Sequence, residues 1–126
     1  MPYENPVFYT IEFVRGDNYV AQVDLYLDDS ALDLSSYEIV WAAKRSRRDP
    51  DSKAVVTKKK SLGGITLDGV ISNRAFISLS KVETKKFEAA AEYVWDLRIQ
   101  HTVNETIATP LTGNLMASRP VVRSVV

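Results

Sequence analysis

Apolar and polar residues alternate with a period of two along most of the chain, the pattern of strands that bury one face. Over residues 7–14, Tyr9, Ile11 and Phe13 share a face, while Thr10 and Glu12 fall on the other. After a break at Arg15-Gly16-Asp17-Asn18 the alternation resumes with Tyr19, Ala21, Val23 and Leu25. Glycine and short polar residues at the break predict a structural turn at Arg15, Gly16 and Asp17, and so a first hairpin or two strands joined across a bulge. Tyr37, Ile39, Trp41 and Ala43 form the inner row of a further strand, and residues 53–58 return through Ala54, Val55 and Val56. Pro50 and the flanking aspartates make the intervening stretch a connection.

Beyond Lys60, Gly63-Gly64 opens a short ITL segment, Asp68-Gly69 turns it, and Ala75, Ile77 and Leu79 mark the next inner row. One interruption breaks the strand pattern. Ser80 followed three residues later by Glu83 is a capping-box spacing and predicts one or two helical turns within residues 80–87. The strongest alternation comes next, with Tyr93, Trp95, Leu97, Ile99 and His101 opposite Val94, Asp96, Arg98 and Gln100. Asn104-Glu105 turns that strand back into residues 106–111, and Gly113 separates it from a last segment. Residues 114–126 read as a C-terminal edge strand that frays, or as an arm ordered by assembly, with Pro120 lacking a donor and Arg119 and Arg123 at its end. Seven or eight short strands with one helical crossover favour an all-β antiparallel sandwich or barrel over an α/β nucleotide-binding fold. The expected core is Tyr9, Ile11, Phe13, Trp41, Tyr93, Trp95, Leu97 and Ile99.

Length makes this one domain over residues 1–126, because halving the chain would leave units too small for ordinary hydrophobic cores. No run approaches the roughly 18 apolar residues of a membrane helix, so no membrane partner is expected. The opening MPYENPVFY lacks the basic and apolar regions of a secretory signal. Without cysteine there is no disulfide framework, thiolate metal site or cysteine nucleophile, and a single histidine removes a His-rich cluster.

Formal charge sums to zero but is distributed unevenly. Residues 1–43 carry eight acids against the single base Arg15, while residues 44–60 carry eight bases against Asp49 and Asp51. This basic island reads as a solvated hairpin tip, as a surface attracted to an acidic neighbour, or as a nucleic-acid contact. Nucleic acid is disfavoured, because a domain of zero net charge lacks a broad positive footprint. The residues placed at a partner interface are Lys44, Arg45, Arg47, Arg48, Arg119 and Arg123.

No catalytic constellation is legible. His101 ends an inner row with no nucleophile or orienting acid near it in sequence. Asp24, Asp28, Asp29 and Asp33 do not follow the ligand alternation of a calcium loop and read as solvated acids or Asx turns. Gly63-Gly64 lacks the rest of a phosphate loop. Trp41, Tyr93 and Trp95 read as core or interface bulk, with a carbohydrate platform as the lesser alternative. No enzyme activity and no cofactor are expected.

The order FVRGDNY, ALDLSSYEIVWAAKR, GGITLDG and ISLSKVETKKFEAAAEYVWDLRI, over about residues 8–115, resembles small tailed-bacteriophage structural proteins, including N-terminal domains of baseplate and receptor-binding-apparatus proteins. That resemblance implies an immunoglobulin-like β-sandwich. It also implies a noncatalytic virion protein, a tail, baseplate or neck adaptor, found in the virion and in the host cytoplasm during assembly. Its implied partners are other virion structural proteins and copies of itself. The alternative is a glycan- or receptor-binding β-sandwich module.

Overall fold

The protein's computed structural model describes residues 7–27 and 30–121. Asp28, Asp29 and Arg123 therefore lie outside the described residues. Ten strands follow one another: β1 (Val7–Val14), β2 (Tyr19–Asp24), β3 (Tyr26–Leu27), β4 (Ser30–Ala31), β5 (Tyr37–Lys44), β6 (Val56–Lys59), β7 (Ile65–Leu67), β8 (Arg74–Leu79), β9 (Glu92–His101) and β10 (Ile107–Ser118). A single helical turn, α1 (Lys81–Thr84), lies between β8 and β9. A front sheet of order β1-β10-β9-β5-β6 packs on a back sheet of order β2-β8-β7, and β3 pairs with β4 as a separate ribbon. All pairings are antiparallel except β1 with β10. The fold is an immunoglobulin-like, mostly antiparallel β-sandwich with one short helical element.

The period-two rows become the core because each strand turns one face toward the facing sheet. Tyr37, Ile39, Trp41 and Ala43 from β5, Tyr93, Trp95, Leu97 and Ile99 from β9, and Ala75, Ile77 and Leu79 from β8 are all buried. Their rings interlock: Trp41 and Trp95 lie with centroids 6.4 Å apart, and Phe87 meets Tyr93 edge-on at 4.9 Å. The Tyr93 hydroxyl accepts a hydrogen bond from the Glu88 amide at 2.7 Å, tying the start of β9 to the chain five residues upstream. Immunoglobulin sandwiches use the same device, with a cysteine two residues further on. Here Trp95 holds that place.

At the α1 turn the expected capping box is present, the Ser80 hydroxyl accepting from the Glu83 amide and the Glu83 carboxylate from the Ser80 amide. Two sequence expectations are corrected. Tyr9 is not a core residue: it carries inner-row parity, but the three-stranded back sheet does not extend over it and it is 56% exposed. Residues 106–118 are not divided at Gly113, and residues 114–118 are not an edge strand. They belong to β10, which runs through Gly113 between β1 and β9 with an irregularity between Ala108 and Leu111. Gly113 is there because β1 crosses against it, leaving no room for a Cβ beside the Tyr9 carbonyl.

Candidate functional site

The structure disperses the basic island. Lys44 is paired with Asp51 at 2.7 Å and donates to the Asp49 carbonyl. Arg45 reaches Glu88 at 3.3 Å and lies over the Tyr93 ring. Arg47 folds back over the outer face of the front sheet, 2.9 Å from Asp96 and 2.6 Å from the Thr112 hydroxyl. Arg48 is exposed, and among the described residues only its backbone amide is engaged, by the Ser46 hydroxyl. Arg119 is exposed just beyond β10. Three of the four arginines and lysines over residues 44–48 are thus neutralised by the same chain, and the residues 44–55 connection lies against the front sheet.

Arg15, Gly16 and Asp17 form the expected turn, with Gly16 at φ +88° and the Asp17 amide donating to the Val14 carbonyl. Arg15 is anchored rather than presented: its guanidinium donates to the Phe87 carbonyl at 2.6 Å and the Lys85 carbonyl at 3.0 Å. The buried Thr84 hydroxyl accepts from the Gly16 amide and donates to the Asp17 carbonyl, clamping this turn to α1. His101 stacks edge-on against Tyr37, and its Nδ1 accepts from the Val103 and Asn104 amides, which fixes the β9–β10 turn.

The acids are committed in the same manner. Arg74 grips Asp24 with two bonds at 2.9 and 3.1 Å, and that guanidinium holds the Asp24 carboxyl below its ordinary range. Asp33 caps the 3₁₀ turn at Leu34–Ser36 through Ser35, whose hydroxyl and amide likewise lower its pKa. Among the described residues no three His, Cys, Asp or Glu side chains gather as a metal would require. No nucleophile, base and orienting acid converge there either.

What the sandwich does present is an opening between its sheets. On the side where β1 and β2 are the sheet edges, a cleft of about 620 Å³ separates them. Trp41, Trp95 and Ile77 lie at its depth and are almost wholly buried. Around it stand Val7, Tyr9, Val20 and Tyr26, each more than half exposed. Tyr19 lines the wall, and burial raises its hydroxyl pKa. The Trp41 indole N–H is the one buried side-chain polar atom without a hydrogen-bond partner among the described residues. Trp95, by contrast, donates to the Asn114 carbonyl at 3.1 Å. Sequence reading placed these tryptophans in the core correctly but missed the cleft. Its cause is a difference in width: a five-stranded front sheet, with the long edge strand β1, faces a back sheet of three strands.

Neither a family model nor a curated protein matches the chain. Among solved structures, it is similar to the NK cell receptor NKp44, described as a triggering partner in natural cytotoxicity, with 11% identity and a TM-score of 0.52. The alignment covers 86% of this chain and 96% of that one. This corrects the expectation of a bacteriophage virion adaptor: no phage family matches, and the solved neighbour is a receptor rather than a virion component. What the two chains share is the immunoglobulin-like β-sandwich.

Proposed function

We propose that this chain is a recognition module of receptor type, binding a protein partner through the open side of its sandwich. The observation that carries the reading is the gathering of Val7, Tyr9, Val20 and Tyr26 around the cleft, four large side chains left in water on one side of the molecule. A contiguous exposed apolar patch beside a concavity is where association removes most apolar surface from water. The charged residues support the same choice of surface, because Lys44, Arg45, Arg47 and Arg74 are already paired within the chain, with Asp51, Glu88, Asp96 and Asp24. The receptor fold neighbour adds that a sandwich of this kind serves recognition.

A glycan is the second reading, favoured by the exposed Tyr9 and Tyr26 rings beside Gln22 and Asp24 at the cleft. Cross-linking of the purified chain in extracts of its source organism, run beside a glycan array, separates the two. The protein reading requires partner cross-links at the Val7–Tyr9 and Val20–Tyr26 surface, lost when Tyr9 and Tyr26 are both changed to Ser. Saturable glycan binding with the same loss would replace it.

A further inference from the structure

The four sheet edges differ in a way that points to the shape of the ligand. At one side, β6 carries Lys58 and Lys59, β7 is three residues long, and a 3₁₀ turn, Lys60–Leu62, joins them. Lysine and brevity are the usual means by which an edge strand resists pairing. At the other side, β1 has eight residues and β2 has six, and neither contains a lysine or a proline. Among the described residues β2 is hydrogen-bonded only to β8, so alternate residues from Tyr19 to Asp24 direct their amide and carbonyl groups away from the sheet. This unblunted edge borders the cleft lined by Trp41 and Trp95.

We infer that the open side accepts an extended peptide segment of a partner protein, which pairs along β2 as a fourth back-sheet strand and lowers alternate apolar side chains into the cleft over Trp41 and Trp95. The inference rests on the recognition reading above and specifies its ligand. Backbone complementarity selects a strand, because a row of amides and carbonyls without partners among the described residues is matched in spacing only by another extended backbone. The cleft sets the side chains: Asp24 is neutralised by Arg74, and among the described residues no other charged side chain lines the cleft, so inward positions of the occupant are uncharged and apolar. A second copy of this chain is a poorer occupant, since the inward side chains of its own free edge, Tyr19, Ala21 and Val23 of β2, are already packed against its own core and cannot enter the cleft.

The test uses a blocked peptide of about eight alternating threonine and valine residues, with a twin N-methylated at alternate amides so that it cannot form a ladder. Tryptophan fluorescence reports entry to the cleft, and amide hydrogen exchange reports pairing along β2. The expected result is saturable binding, slower exchange at alternate residues from Tyr19 to Asp24, and about tenfold or greater weakening with the methylated twin. Ala21→Trp, which fills the cleft, abolishes binding while the circular dichroism spectrum is retained. Equal binding of both peptides would overturn the inference, as it would then be apolar adsorption. Slow β2 exchange in the free protein, with no peptide bound, would also overturn it and assign the edge to the chain's own preceding segment. Partner cross-links at the Val7–Tyr9 and Val20–Tyr26 surface without slowed amide exchange along β2 would sink the strand inference while leaving the recognition reading intact.

Discussion

Gly113 and Tyr9 meet backbone to backbone: a Cβ on Gly113 would fall within the Tyr9 carbonyl group and crowd the Trp95 indole nitrogen. Gly113 sits opposite Tyr9 in the parallel β1–β10 ladder and opposite Trp95 in the antiparallel β10–β9 ladder, so neither neighbour can withdraw without breaking a sheet. Gly113→Ala is therefore expected to cost about 3 kcal/mol or more and to detach β1 first. Gly69 provides the contrast, with nothing within 4 Å of its Cβ position, and Gly69→Ala should stay within about 0.5 kcal/mol. Urea unfolding of both variants checks the pair. Similar costs at the two sites would refute close approach as the reason for Gly113.

Glu83 links α1 to β6, accepting from the Ser80 amide at 2.9 Å and from Lys58 at 2.6 Å. Burial works to raise its pKa, but the Lys58 ammonium and the Ser80 amide outweigh burial and leave it below the ordinary 4.5. A carboxyl depressed in the folded state contributes stability above its unfolded pKa and loses it as pH falls through the folded value. Wild type should thus exceed Glu83→Gln in melting temperature near neutral pH, with the gap closing below about pH 4.5. The measurement is the difference between the two melting curves across that range, since Asp24, Asp33, Glu38, Asp51 and Asp68 are also depressed and contribute a common acid dependence. A gap that stays constant with pH would show that the ion pair does not act through Glu83's charge.

How far the sequence carried the fold depended on whether a property was local. Inner rows such as Ile39-Trp41-Ala43 and Trp95-Leu97-Ile99 were legible because burial of one strand face is written every second residue. The capping box was legible because both partners lie within one turn. Gly113 misled because a glycine in a strand reads as punctuation when its cause, the backbone of β1, lies about a hundred residues away in sequence. Tyr9 misled for a related reason: its parity is correct, but whether anything covers it depends on how many strands the opposite sheet has. The basic island was seen as charge, while the acids that pair with Arg45 and Arg47, Glu88 and Asp96, lie more than forty residues away in sequence. The cleft was invisible for the same reason, being a property of two sheets of unequal width.

The attachments of the Tyr93 ring and of its hydroxyl can be separated. Its ring packs against Phe87, and its hydroxyl accepts from the Glu88 amide. Tyr93→Phe keeps the ring and removes only the acceptor, leaving a partly buried amide unpaired at the α1–β9 corner. The expected loss is about 1–2 kcal/mol, against about 3–5 kcal/mol for Tyr93→Ala, which also opens a cavity. Chemical denaturation of both variants reads the split. A phenylalanine variant as stable as wild type would show that the hydroxyl bond does not hold the corner.

Arg47 offers a test of how much the basic island contributes to stability. Its guanidinium reaches Asp96 and the Thr112 hydroxyl, and Thr112 in turn bonds Asp96, so three side chains from three segments close a small network over the front sheet. Yet the Arg47 and Asp96 side chains are 50% and 41% exposed, and ion pairs open to water to that degree contribute about 0–1 kcal/mol. Arg45 with Glu88 is more exposed still, and Arg48 makes no side-chain bond to a described residue. Replacing Arg45, Arg47 and Arg48 together with Gln should therefore cost no more than about 1.5 kcal/mol. A double-mutant cycle between Arg47→Gln and Asp96→Asn should return a coupling below about 1 kcal/mol that shrinks further in high salt. Urea unfolding at low and high ionic strength measures both quantities. A coupling that is large and indifferent to salt would mean that Arg47 is a structural clamp on the residues 44–55 connection, and that its contact with Asp96 is shielded from solvent in solution.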